Sequence, residues 1–466
     1  MKQWFIILIA LFATWSAEGG EMRYQYRLYL KDKIGTSYSI DRPEKFLSKR
    51  AIERRDKEGI AIDSTDLPIS SIYLKRIKKE GKPIVTYSKW MNTVVVEISD
   101  TTMIDSFLQL PFVSSAQRVW MEEVRDEPLL FSEGYERIVT IPKEDIPEGD
   151  EYGRGREQIA LHHGDKLHEM GFRGEGVWIA VIDAGFQFAD NIPAINSSHF
   201  IGQLDLENRK ASVYQGHYHG TRVLSAMAAN EPGKMVGTAP NAQFLLLRSE
   251  VSESEFAVEE DYFAAALEYA DSVGVDVVTS SLGYSTFDNG ITSYQYADLN
   301  GESAFITRAA SMGAKKGMFM VTSAGNEAAG DWRFITFPSD SRYVLTVGAI
   351  DREGNRSSFS SVGPTADSRL KPDVVGIGSE TVLLDSNGSI VTSNGTSYST
   401  PIIAGLVACL KQALPHITND RLMRLIKESG DSPSPNNETG RGIPNFYKAY
   451  MKGVLESNRD KSSAHN

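Results

Sequence analysis

The chain has 466 residues, 41% of them hydrophobic and 24% charged, which excludes fibrous and disordered classes and allows a large core. Its net charge of −12 is unevenly shared: residues 21–125 carry 19 Lys+Arg against 15 Asp+Glu, and residues 126–466 carry 29 against 45. An acidic main body disfavours nucleic acid as a partner, and the basic segment ahead of it can dock on that body electrostatically.

In chain order, Lys2, the apolar run Trp4–Trp15 and the small residues up to Gly20 read as a secretory signal peptide over residues 1–20. Twelve apolar residues are too few for a membrane span, and no later run is long enough. Residues 24–30 alternate like a strand. Pro43–Glu58 and Ile72–Glu80 read as helices stopped by Gly59 and Gly81, and Lys82–Met91 and Thr93–Ile98 as paired strands turning at Asn92. A short helix, Thr101–Leu110, and a strand, Val113–Val119, complete a small α+β domain over residues 21–120. Residues 121–152 are rich in Glu, Asp and Pro with weak periodicity, and read as an exposed linker open to cleavage.

From Leu161 the pattern becomes strand–helix–strand. Apolar strands at 177–182, 244–247, 275–279, 318–322, 343–347 and 372–375 alternate with helices at 219–230, 259–273, 303–316, after Ser399, and 418–428. Continuous apolar strands separated by helices predict a three-layer, doubly wound α/β domain over residues 153–452, with sites at the carboxyl ends of its strands. Residues 453–466 read as a disordered tail. Cys409 is the single cysteine, so no intramolecular disulfide forms, and its apolar neighbours mark it as buried filler.

Four polar residues fall at predicted strand ends or helix starts: Asp183, His219, Asn326 and Ser397. Each alone has a plain explanation as a cap or turn residue. Together they supply what attack on an amide needs: a hydroxyl nucleophile, an imidazole base, a carboxylate to hold it, and a side-chain amide for the oxyanion. The chain order Asp–His–Ser matches one of the three common serine-peptidase arrangements.

On the motifs Val181-Ile182-Asp183-Ala184-Gly185, His219-Gly220-Thr221-Arg222-Val223, Ser281-Leu282-Gly283, Ser323-Ala324-Gly325-Asn326 and Gly395-Thr396-Ser397 with Pro401, residues 155–430 resemble the subtilisin-like serine peptidases, the subtilase family. The resemblance implies that Asp183 orients His219, that His219 is general base and then acid, and that Ser397 forms the acyl-enzyme. It makes Asn326 and the Ser397 backbone N–H the oxyanion hole. Ser281, Leu282 and Gly283 become an edge along which a peptide pairs, with Ser323, Ala324 and Gly325 as further substrate-binding residues.

Two departures stand out: Ala184 where the family has Thr or Ser, and Tyr398-Ser399-Thr400 where Met-Ala-Ala or Met-Ala-Thr is usual. His217 competes for the base by position, but only His219 has Gly-Thr after it.

The layout of residues 24–120 is similar to subtilase pro-domains, which implies a ferredoxin-like fold, an intramolecular inhibitor and folding aid, and self-cleavage between Trp120 and Tyr152. The expectation is an exported bacterial endopeptidase, secreted, periplasmic or at the cell surface, acting on proteins or peptides with no cofactor. Relatives that bind structural calcium leave a calcium site open. The alternatives are a catalytically impaired, subtilase-like protein-binding scaffold, favoured by Ala184 and Tyr398, and an esterase or amidase of small molecules.

Overall fold

The computed structural model describes residues 22–80, 83–123, 149–251, 254–288, 291 and 293–463. The expected signal peptide and most of the expected linker lie outside them.

The N-terminal unit runs β1 (Met22–Leu30), α1 (Lys49–Glu58), α2 (Ser71–Lys79), β2 (Ile84–Ser88), β3 (Thr93–Ile98), α3 (Ile104–Leu108) and β4 (Val113–Glu123). Its sheet has the order β2-β3-β1-β4 with antiparallel pairs, the ferredoxin-like arrangement. Strand alternation splits β3 between two jobs. Val94 and Val96 join Leu28, Ile77 and Phe107 in the unit's own core, while Val95 packs with Phe263 and Ala264 of the larger unit. Ser48 caps α1 by accepting the Ala51 amide, and Gly59 ends it in the left-handed region at φ 69°.

The larger unit opens with two short helices, α4 (Arg156–Ala160) and α5 (Gly164–Glu169). It continues through β5 (Trp178–Asp183), β6 (Phe200–Asp205), α6 (His219–Ala228), a hairpin of β7 (Asn230–Glu231) and β8 (Met235–Val236), β9 (Gln243–Arg248), α7 (Glu259–Val273) and β10 (Val277–Ser280). Then come α8 (Phe305–Lys315), β11 (Phe319–Ser323), β12 (Leu345–Ile350), β13 (Val374–Ile377), a hairpin of β14 (Thr381–Leu384) and β15 (Ile390–Ser393), α9 (Thr396–Ala413), α10 (Asn419–Glu428) and α11 (Phe446–Ser463). The main sheet has the order β13-β12-β11-β10-β5-β9-β6, all pairs parallel. Along β5, Ile179 and Val181 face the layer of α6 and α9, and Ala180 and Ile182 face that of α7 and α8. A sheet covered on both faces explains why its inner strands read as unbroken apolar runs. After β5 the chain builds β6 and β9 on one side, then returns to lay β10 on the other. That reversal opens a crevice at the carboxyl ends of β5 and β10.

Three expectations are corrected. Strand β6 is absent from the sequence reading because this edge strand is only partly buried and carries Gly202 and Gln203, so no apolar run marks it. Residues 453–466 are not a disordered tail as far as Ser463, because α11 continues through them. Its apolar residues Phe446, Ala449, Tyr450 and Val454 recur at helical spacing and pack on the core that includes α10, and Arg421 pairs with Glu456 at 2.7 Å. The segment 121–152 is ordered at both ends: β4 reaches Glu123, while Tyr152 is buried and Arg173 holds Glu151 at 2.7 Å.

Candidate active site

Asp183 is the last residue of β5, at the crevice, and is 2% exposed. Its Oδ1 accepts the His219 Nδ1–H at 2.7 Å and the Ala184 amide at 2.8 Å. A carboxylate only accepts, so this contact puts the imidazole proton on Nδ1 and leaves Nε2 as the basic nitrogen.

His219 opens α6, and the next residue has to be glycine. A Cβ at Gly220 would lie 2.3 Å from the Gly185 carbonyl oxygen and 3.0 Å from Asp183 Cβ, pushing the helix and its imidazole off the carboxylate. His217 takes another part, accepting the His219 backbone N–H on Nδ1 at 3.2 Å.

Ser397 lies in the first turn of α9, where backbone amides lack intrahelical acceptors and the helix dipole is positive. Pro401 supplies no N–H to the Ser397 carbonyl four residues back. Ser281 Oγ–H donates to that carbonyl at 2.8 Å, and Ser397 Oγ–H donates to the Ser281 carbonyl at 3.2 Å. The two serines tie the turn to the end of β10.

Asn326 follows β11 and is exposed. Its Oδ1 accepts the Thr396 amide at 2.9 Å and the Thr396 hydroxyl at 3.0 Å. A backbone N–H needs an acceptor, and only the oxygen of an amide side chain accepts, so these bonds identify Oδ1 and leave the NH₂ end as the donor.

Asp183, His219, Asn326 and Ser397 line one cleft of about 240 Å³ together with Ser281, Leu282, Gly283, Ser323 and Gly325. Thr336 sits between two of its walls: a Cβ at Gly283 would approach Thr336 Oγ1 to 2.3 Å, and one at Gly325 to 2.8 Å. Ala324 differs from expectation. It is fully buried, its amide bonds the Val347 carbonyl at 2.9 Å and its carbonyl accepts the Thr336 amide at 3.0 Å, so it backs the wall without facing substrate.

A family model described as the subtilase family matches residues 174–442, and one for the peptidase S8 propeptide domain of Bacteroidota matches residues 25–129. The chain belongs to the subtilase family. The alkaline protease of Alkalihalobacillus alcalophilus is 28% identical over 279 residues, 60% of this chain and 65% of that protein. Subtilisin Savinase of Lederbergia lenta is 27% identical over 279 residues, 60% of this chain and 92% of that protein. The chain thus spans just under two thirds of the first relative's length. The crystal structure of MycP1 from the ESX-1 type VII secretion system shares the fold, with a TM-score of 0.51 at 21% identity, covering 66% of this chain and 88% of that one.

In this subtilase the cleft is more acidic than the motifs foretell: Glu250, Glu255 and Glu327 also line it. Glu250 follows the end of β9 and Glu327 follows Asn326, so the strand-end rule could have found both. Burial pushes the Glu250 carboxyl up to about 7, against the opposing pull of hydrogen bonds from Tyr284 at 2.6 Å and Ser249 at 3.0 Å. Among the described residues, there is no group of three or more His, Cys, Asp or Glu that could hold a metal ion. The acidic run from Glu144 lies almost wholly outside them. No helix among the described residues is long and apolar enough to cross a membrane.

Proposed function

We propose that this subtilase is an exported serine endopeptidase, made as a precursor that cuts its own linker. The observation that carries the reading is the convergence of Asp183, His219, Asn326 and Ser397 on one cleft, with the carboxylate 2.7 Å from the imidazole. Ser397 Oγ leaves the Ser281 carbonyl by rotation about χ1, gives its proton to His219 Nε2 and attacks the substrate carbonyl carbon. The oxyanion is met by the Ser397 backbone N–H and the Asn326 NH₂. His219 then protonates the departing amine, and water releases the acyl group by the same steps in reverse roles.

The N-terminal unit fits the part of temporary inhibitor. The Val119 carbonyl of β4 accepts the Val258 amide at 3.0 Å, and Trp120 packs edge-on against Phe256 with ring centroids 5.8 Å apart. The chain therefore leaves this unit beside the cleft wall that carries Glu255. Relatives named alkaline protease and subtilisin, together with the apolar run Trp4–Trp15, support export.

The test is covalent labelling of Ser397 by an organophosphate-type serine reagent, with cleavage of casein compared against small esters. Labelling with preference for casein is expected. Absence of labelling supports the scaffold reading, and preference for esters supports the small-molecule one. A Ser397→Ala precursor that still matures in a host lacking other proteases overturns self-processing.

A further inference from the structure

We propose that Tyr398 is a positioning residue for the catalytic imidazole, held in place by Arg222 and Asp385. The inference rests on the endopeptidase reading and adds the second wall of the base. Asp183 grips His219 through one oxygen only: Oδ1 serves both Nδ1 and the Ala184 amide, while Oδ2 is buried without a hydrogen-bond partner. Ala184 brings no hydroxyl to that carboxylate.

Tyr398 supplies a face beside the His219 ring. It follows the nucleophile directly, is 1% exposed, and its ring centroid lies 5.6 Å from that of His219 with the planes inclined by 39°. That distance and tilt fall in the favourable range for paired aromatic rings. The tyrosine is itself held at its far end, where its hydroxyl is hydrogen-bonded to Arg222. Arg222 is three residues beyond His219 on α6, so it emerges on the same side of the helix. Its Nε donates to Asp385 Oδ1 at 3.1 Å, in the turn between β14 and β15, and its guanidinium lies 4.3 Å from the centre of the Tyr218 ring. Tyr218 in turn packs on His217 at 4.2 Å, and His217 accepts the backbone N–H of His219. The imidazole thus has a carboxylate on one edge, an anchored aromatic ring beside it, and a tied backbone behind it.

A buried arginine with its carboxylate is a rigid anchor, because separating the pair strands a charge. Tyr398 is therefore more than filler behind the nucleophile. Its ring limits where Nε2 can travel between Ser397 and the leaving amine, a distance on which rate depends steeply, about 10²-fold for 1 Å.

The experiment measures kcat and KM separately on a peptide substrate for Tyr398→Leu, Tyr398→Phe and Asp385→Asn, with thermal melts of each. Tyr398→Leu is expected to lower kcat by about tenfold or more with KM and melting temperature little changed, since it removes geometry and not binding. Tyr398→Phe keeps the ring but loses the bond to Arg222, and is expected to fall between the parent and Tyr398→Leu, by about the same few-fold as Asp385→Asn. Asp385→Asn, which touches neither the imidazole nor substrate, is expected to lower kcat a few-fold at constant KM. A folded Tyr398→Leu within twofold of the parent overturns the proposal, as does a Tyr398→Phe that loses as much as Tyr398→Leu. If Tyr398→Leu does not fold, Asp385→Asn decides: unchanged kcat overturns the anchor. A parent that neither cleaves peptides nor reacts with the serine reagent overturns the endopeptidase reading instead, and this inference with it.

Discussion

The interface with the N-terminal unit and the cleft treat their polar groups in different ways. At the amino ends of the strands and along α7, the N-terminal unit meets charge with charge. Arg27, 1% exposed, bonds Asp261 at 2.6–2.9 Å and the Ala257 carbonyl at 3.1 Å, with Phe305 under its guanidinium. Arg54 and Arg55 share Asp271, and Lys316 lies between Asp63 at 3.1 Å and Asp66 at 2.9 Å. Glu268 accepts from the Ser88 hydroxyl and the Lys89 and Trp90 amides. The uneven charge visible in the sequence becomes here a set of buried pairs. At the carboxyl ends the cleft instead keeps groups in reserve: Asp183 Oδ2 has no hydrogen-bond partner, and the Asn326 NH₂ is turned from Thr396. Interface charges are paired across the two units, and the cleft draws its polar groups from the larger unit alone.

The contrast breaks most visibly at Ser397. Ser397→Ala is expected to lower turnover by roughly 10⁶ and to leave the linker uncut, because the members of the proposed triad would fail as a unit. Its melting temperature is expected to match the parent precursor, since the interface pairs are untouched; a large drop would show that cleft and interface are not separate. Asn326→Ala is expected to lower kcat by about 10²–10³ with little change in KM, measured on a peptide substrate. An unchanged kcat would remove Asn326 from the oxyanion hole.

On the interface side, Asp271→Ala leaves Arg54 and Arg55 without their shared carboxylate. The expected loss is about 3–5 kcal/mol of precursor stability, read by denaturant unfolding in the Ser397→Ala background. Turnover of the matured enzyme, freed of its N-terminal unit, is expected to be near the parent value. Equal stability of the Asp271→Ala precursor would mean that the buried pairs contribute nothing net.

How far the sequence reveals this arrangement follows from the range of the interactions. The sheet was legible because each inner strand is covered on both faces and reads as an apolar run. The edge strand β6, half exposed and broken by Gly202, was not. Asp183, His219, Asn326 and Ser397 are legible because each sits where a strand ends or a helix begins, and because Gly220 is forced by local geometry. What holds them is not. Ser281 and Ser397 exchange hydrogen bonds across 116 positions, and Arg27 finds Asp261 across 234, distances over which no local pattern carries information. Ala324 misled for the reverse reason: it stands in the right motif, yet both its backbone groups are already bonded.

The smallest effect concerns Glu250, where burial of a carboxyl should appear as a cost to the fold. Burial raises its carboxyl from 4.5 to about 7, so the folded state holds the proton more tightly than the unfolded chain does. Between those values the folded carboxyl keeps a proton that the unfolded one has released, and stability falls as pH rises through this window. Above about pH 7 both states are ionised and the loss is complete. Glu250→Gln removes the titration, so its stability is expected to be flatter from about pH 4.5 to 7 and higher than the parent's at pH 8, measured by denaturant unfolding in the Ser397→Ala background. The neighbours Asp183 and His219 bear on the same carboxyl in opposite senses, the first raising it and the second lowering it. Parallel pH curves for parent and variant would show that burial costs the Glu250 carboxyl nothing, and the distinction between the interface and the cleft would then rest on Asp183 and Asn326 alone.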